Sequence, residues 1–168
     1  YYVVELVDAL SQDADPNALL FDELLATLGR LDAAAEPGAA QPGLAVRYFE
    51  MHALAFAGLQ PQLHRCVQCN DLLKPEVNFL SLDRGGCLCP RHGANLAGTT
   101  ALALEVFKVL RYLQTRPWEQ VAQLQLGGDV AAQVESILAR YIIWHLERSL
   151  RSPAFIEKLR RQAANGVR

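Results

Sequence analysis

Cysteine is absent before position 66 and after position 89, and no apolar run is long enough to cross a bilayer. The opening residues do not read as a secretory leader, and a reducing compartment is expected, in which disulfides do not persist. Two disulfides among the four thiols are therefore disfavoured. There is no H-E-x-x-H helix, no phosphate-cradling glycine loop and no nucleophile elbow. The hydrolase and nucleotide-hydrolysing classes built on those motifs lose their sequence support. Charge of one sign is lacking too: 16 Lys and Arg against 18 Asp and Glu leave a net charge of -2.

The thiols that are present lie close together. Cys66-Val67-Gln68-Cys69 is followed, nineteen residues on, by Cys89-Pro90-Arg91-His92. A C-x-x-C paired with a C-x-x-H is the spacing of a tetrahedral zinc site, because zinc takes thiolate and imidazole ligands from paired tight turns. Cys66, Cys69 and Cys89 form the firm part of the set. The fourth ligand is either His92, which keeps the two-residue spacing, or Cys87, which supplies a fourth sulfur through C-x-C. Spacing favours His92. Such a site fills all four positions from its own loop, whereas catalytic zinc keeps one open, so the metal is expected to be structural. Between the knuckles, residues 77–82 alternate in the manner of a strand, and Asp83-Arg84-Gly85-Gly86 reads as a turn.

The remaining segments carry the 3.6-residue period of helices. One runs from Tyr2 to Ser11. A second is capped by Asp15 with Pro16 at its first position and buries Leu20, Phe21, Leu24, Leu25, Leu28 and Leu31, leaving Asp22, Glu23 and Arg30 in water. A Pro- and Gly-rich loop over 36–43 precedes a third, Leu44 to Ala57, which stops at Gly58. Beyond a linker over 93–98, Thr99 or Thr100 is expected to cap a helix to Gln114 that lies centrally in the bundle. A short helix follows Pro117. The longest, Val130 to Ser149, buries Val134, Ile137, Leu138, Tyr141 and Ile142. A last one, capped by Ser152, runs to Gly166.

The predicted fold is thus mainly α: a helical bundle over 1–63 and 94–168, interrupted by a zinc-binding ribbon over 64–93. The chain opens with Tyr1 inside an apolar periodic segment, which suggests a piece of a longer protein. His52 and His145 sit on apolar helical faces and read as interior histidines. Charge is graded: residues 1–50 carry -7 and residues 140–168 carry +5. A basic end can bind a polyanion. The cationic clusters there are Arg148 with Arg151, and Lys158 with Arg160 and Arg161. Aromatics able to stack bases are scarce in the ribbon, with Phe79 alone.

These pieces occur in a recognisable order. Tyr1 to Leu10 reads Y-x-x-x-E-L-x-x-x-L, Leu20 to Leu28 reads L-F-x-x-L-L-x-x-L, and a helix ends in Gly58-Leu59-x-Pro61-x-Leu63. Cys66-x-x-Cys69 and then Phe79-x5-Gly85-Gly86-x-Leu88-Cys89 follow. The chain resembles the C-terminal part of RecO, the bacterial recombination mediator, over most of its length. It departs from the usual pattern where His92 stands in place of a fourth cysteine and Cys87 is added.

The resemblance implies a DNA repair protein without enzymatic activity in the bacterial cytoplasm, associated with the nucleoid. It implies binding of single- and double-stranded DNA, strand annealing, and recombinase loading with RecR and single-strand-binding protein. It also implies that the family's N-terminal OB-fold, a main DNA-binding part, is absent from this chain. A basic-rimmed apolar groove would suit the acidic, apolar C-terminal tail of single-strand-binding protein, and Arg148, Arg151, Lys158 and Arg161 are candidates for its rim. The competing expectation is a helical protein-interaction adaptor with structural zinc and no nucleic-acid contact.

Overall fold

The computed structural model describes residues 1–11, 17–34 and 40–149, with side chains to Leu146. In chain order the elements are helices α1 (Tyr2–Leu10), α2 (Ala18–Ala33) and α3 (Pro42–Phe56), then strands β1 (Asn78–Ser81) and β2 (Gly86–Leu88). Helix α4 (Pro90–Gly93), strand β3 (Thr99–Leu102) and helices α5 (Leu104–Thr115), α6 (Trp118–Val121) and α7 (Gly128–Ser149) complete them. The mainly helical class with a small antiparallel sheet agrees with the sequence reading.

Helix α3 occupies the centre. It packs against α1, α2, α5, α6 and α7, and eight of its residues are buried, among them Leu44, Phe49, Met51 and Leu54. Pro42 stands in its first turn, where a missing N–H costs nothing. At its far end Gly58 adopts a left-handed φ of 70°. Leu59 N–H then reaches Leu54 O at 2.7 Å and Gly58 N–H reaches Ala55 O at 3.0 Å, which satisfies the last carbonyls and turns the chain toward the sheet. Helix α5, the one expected to lie centrally, packs on α3 and α7, and the hub of the bundle is α3.

Two sequence expectations are corrected here. Thr99 and Thr100 do not cap a helix. They belong to β3, whose four residues pair with β1 from Asn78↔Leu102 to Ser81↔Thr99, and α5 begins only at Leu104. Two adjacent β-branched threonines favour the extended backbone, and pairing with β1 decides the matter. The sheet order is β2-β1-β3, all antiparallel, so its third strand lies beyond position 93.

The second correction concerns α2. Its cap is Asn17, whose Oδ1 accepts from Leu20 N–H at 3.0 Å; Asp15 and Pro16, assigned that task from sequence, lie outside the described residues. Of the predicted apolar stripe, Leu20 and Leu24 are buried, while Phe21, Leu25 and Leu28 are 41–56% exposed and Leu19 is 63% exposed. Glu23 and Arg30, expected in water, are instead largely covered. Arg30 stacks 5.0 Å from the Tyr48 ring centroid and 4.7 Å from that of Trp118, and its Nη1 lies 2.5 Å from Glu23 Oε1. The helix is rotated toward that aromatic pair, which turns part of its leucine stripe outward.

The long-helix reading agrees with the structure. Val134, Ile137, Leu138, Tyr141 and Ile142 are buried along α7 and joined by Leu146. Leu63, Leu80, Cys87, Leu88 and Leu102 belong to the same apolar core as the helices. The sheet is therefore seated in the bundle rather than hung from it. The predicted helix from Ser152 to Gly166 lies outside the described residues.

Candidate metal centre

Two tight turns shape this site. In the first, Asn70 N–H bonds Cys66 O at 2.8 Å and Cys66 N–H bonds Asp71 O at 2.9 Å. Asn70 takes a left-handed φ of 62°, a conformation asparagine tolerates better than most residues. The turn is fixed to the ribbon by Val67 N–H on Cys87 O at 2.9 Å. In the second, Cys89 caps α4, with His92 N–H and Gly93 N–H both reaching Cys89 O, at 3.0 and 2.9 Å. Pro90 starts that turn at a position needing no N–H.

The turns bring Cys66, Cys69, Cys89 and His92 together, with their ligand atoms all within 4.8 Å of one another. His92 Nδ1 lies 3.7 Å from Cys66 Sγ and 3.3 Å from Cys89 Sγ. Tetrahedral zinc with bonds near 2.3 Å to sulfur and 2.0–2.1 Å to nitrogen would space its ligands about 3.6–3.8 Å apart. Both the donor set and its spacing fit that ion. Cys87 is not in the cluster. It is fully buried in β2, paired with Leu80 of β1, and its thiol is pushed up to about 12 by burial and by the Cys66 sulfur.

The electrostatics differ sharply between the thiols. Burial alone would raise Cys66, but backbone N–H groups of Cys69, Cys89 and Gln68, helped by the His92 ring, outweigh it and bring the thiol to about 6. Cys89 N–H points at Cys66 Sγ from 3.4 Å. This sulfur is thus prepared to be a thiolate, the form that binds metal. Cys69 is pushed the other way. The Asp71 backbone lowers it, yet burial, the Asp71 carboxylate and the Cys66 sulfur together prevail, and Cys69 Sγ donates to Asp71 Oδ2 at 3.3 Å. Asp71 was not singled out from sequence. The only signal for it was its place two residues past a C-x-x-C.

His64 stands outside the cluster, its Nδ1 accepting from Arg111 Nη2 at 3.1 Å. His52 lies on the apolar side of α3 with Nε2 3.3 Å from Leu113 O, as expected of an interior histidine. Arg148 falls in α7 with its side chain outside the described residues, and Arg151, Lys158, Arg160 and Arg161 are wholly outside them. Among the described residues no helix is long and apolar enough to cross a membrane.

The family described as "Recombination protein O C terminal" matches residues 1–154. The chain is 40% identical over 164 residues to the DNA repair protein RecO of Roseiflexus sp. (strain RS-1), covering 95% of this chain and 55% of that protein. It is 29% identical over 160 residues to DNA repair protein RecO of Dehalococcoides mccartyi (strain ATCC BAA-2100), covering 95% and 61%. With DNA repair protein RecO of Pelotomaculum thermopropionicum it shares 32% over 157 residues, covering 94% and 59%. The chain therefore spans little more than half the length of these curated relatives. No solved structure matches it significantly.

Proposed function

Because the chain belongs to the RecO family of DNA repair and recombination proteins, we propose that it is the helical part of a recombination mediator, braced by one structural zinc. In this reading it acts without catalysis, in the bacterial cytoplasm at the nucleoid. Together with the rest of a longer protein it binds single- and double-stranded DNA, anneals strands, and helps load recombinase with RecR and single-strand-binding protein. The observation that carries the reading is the family match over nearly the whole chain, on a fold whose Cys3His cluster is intact.

Cys66, Cys69, Cys89 and His92 would hold the ion. When bound, zinc supplies cross-linking of the two turns. The chain's contribution is to pre-form those turns, to stabilise the Cys66 thiolate with backbone N–H groups, and to keep Cys87 protonated and out of the way. Arg148, Arg151, Lys158, Arg160 and Arg161 remain candidates for contact with DNA or with the tail of single-strand-binding protein.

The test is binding of the 168-residue chain to a labelled single-stranded oligonucleotide across a salt series. A steep fall of affinity with salt supports the reading, because each neutralised phosphate releases counterions. Absence of binding at low salt favours the second reading, a protein-interaction adaptor. That reading draws on the exposed apolar face of Phe21, Leu25 and Leu28, which is the kind of surface a protein partner covers. Substituting Arg148 and Arg151 by Glu and titrating a tail peptide tests their assignment; unchanged affinity removes them.

A further inference from the structure

A cleft of about 350 Å³ lies between the first half of the ribbon and the outer face of α5. The ribbon contributes His64 and Pro75, the helix contributes Lys108, Arg111 and Tyr112, and its C-cap contributes Arg116. Lys108 and Tyr112 stand one turn apart on α5, with Arg111 beside them, and Arg116 follows at the C-cap, its N–H on Tyr112 O at 3.0 Å. Arg111 is held in place. Its guanidinium lies 5.4 Å from the buried Phe107 ring and donates to His64 Nδ1 at 3.1 Å. Arg116 lies 5.8 Å from the Tyr112 ring.

In a chain of net charge -2 this convergence is not background. One carboxylate, Glu105, engages Lys108 at 3.0 Å in an exposed pair, which contributes little and yields readily to another anion. Neither Arg111 nor Arg116 forms an ion pair among the described residues. Two planar guanidinium groups and a lysine, spread along an open cleft beside a half-buried tyrosine, combine phosphate donors with surfaces on which bases stack.

We infer that the Lys108–Arg111–Arg116 cleft is a contact site for the phosphate backbone of single-stranded DNA. The inference rests on the reading that this chain touches DNA. It places that contact against the metal ribbon, on residues other than the basic clusters late in the sequence. The ribbon then has a part in binding: it supplies the wall, through His64 and Pro75, that makes a groove of an otherwise convex helix.

The experiment uses the 168-residue chain and a fluorescein-labelled oligothymidylate, titrated at several salt concentrations. The variants are Lys108→Gln with Arg116→Gln, both exposed side chains, and the same pair with Arg111→Gln added; circular dichroism establishes that each is folded. The expected result for the double variant is binding weakened about tenfold at low salt, with the log–log salt slope reduced by about 1.4, or about 0.7 for each phosphate no longer neutralised. Adding Arg111→Gln lowers the slope to about 2 below the parent. If the parent binds and both variants match it in affinity and slope, the cleft is overturned while the DNA reading stands. If the parent does not bind, both fall together. Variants that bind the oligonucleotide normally but no longer bind an oligoglutamate peptide overturn the inference in favour of a protein ligand.

Discussion

Gly93 lies directly against Phe79: a Cβ added at Gly93 would sit 2.4 Å from the phenylalanine Cβ and 2.7 Å from its Cγ. The glycine closes the second metal turn, through its N–H on Cys89 O, and its carbonyl accepts from Thr99 Oγ1 at 3.1 Å. The turn that presents Cys89 and His92 is therefore pressed onto β1 and tied to β3 at a single residue. The sheet cannot retreat, because Phe79 sits between Leu88 and Ala101 in the two ladders. Gly93→Ala must displace the turn, and zinc affinity is expected to fall about 10–100-fold, the range seen when groups supporting metal ligands are removed. Competition against a chromogenic chelator measures this. An affinity equal to the parent's would show that the turn yields at no cost.

Removal of the metal should have a local effect. One face of the ribbon, with Leu80, Cys87 and Leu102, is shared with the helical core, and Leu88 on the opposite face belongs to the same core, so hydrophobic burial holds the sheet whether or not the turns are cross-linked. Chelation is expected to expose the amides of Val67, Asn70, His92 and Gly93 to hydrogen exchange while those of β1, α3, α5 and α7 stay protected. Loss of protection across all helices would mean that the ion holds the whole fold. In the same assay Cys87→Ser keeps its metal, whereas Cys66→Ser or His92→Ala loses it.

Much of this was legible in the sequence because the signals were local. The C-x-x-C and C-x-x-H spacing named the cluster, and the period of α7 named its buried face. What escaped depended on partners far along the chain. Thr99-Thr100 preceding an apolar period reads as a helix cap until β1 is there to pair with it. The stripe of α2 looked wholly buried because nothing near Arg30 in sequence reveals Tyr48 and Trp118, whose rings fix the rotation of the helix. Glu50, one acid in an acidic N-terminal third, gave no sign of being the fully buried one. Likewise the convergence of Arg111 on His64, 47 residues apart, is invisible without the fold.

Glu50 gives the pH dependence. It is fully buried, accepts from Tyr2 Oη at 2.6 Å and lies 3.1 Å from Arg47 Nε, with the angle at that contact too poor for a hydrogen bond. Burial pushes its carboxyl above the usual value; Arg47 and Tyr2 pull it down and Glu135 adds to the rise. The folded chain therefore holds this proton more tightly than the unfolded chain. Its stabilising contribution is complete below the ordinary carboxylate range and is lost as pH rises through the raised folded value. Urea midpoints from about pH 4 to 8 should show the parent's margin over Glu50→Gln shrinking as pH rises; a constant margin refutes this. Glu50→Leu leaves Arg47 only its longer pair with the half-exposed Glu135, at 3.8 Å. It is expected to cost less than the ~3–5 kcal/mol of a fully stranded charge at neutral pH, and Arg47→Met added to it should recover most of the loss.

Arg30 tests whether α2 is held by its leucines or by its cation. With half the leucine stripe in water, the helix keeps Leu20, Leu24 and Thr27 as its buried contacts, and Arg30 covers the edge-to-face pair of Tyr48 and Trp118, whose centroids are 5.6 Å apart, while pairing with Glu23. A largely desolvated guanidinium over two rings contributes up to about 2 kcal/mol for each contact, and its stem adds packing. Arg30→Ala should therefore cost about 2–3 kcal/mol by urea denaturation. Arg30→Lys should recover only a minority of that, because an ammonium has no plane to lay against the rings. If lysine restored the parent's stability, charge pairing with Glu23 rather than stacking would be what anchors the helix. If alanine cost under about 0.5 kcal/mol, the value of an ordinary surface substitution, the leucines would suffice and the rotation of α2 would need another cause.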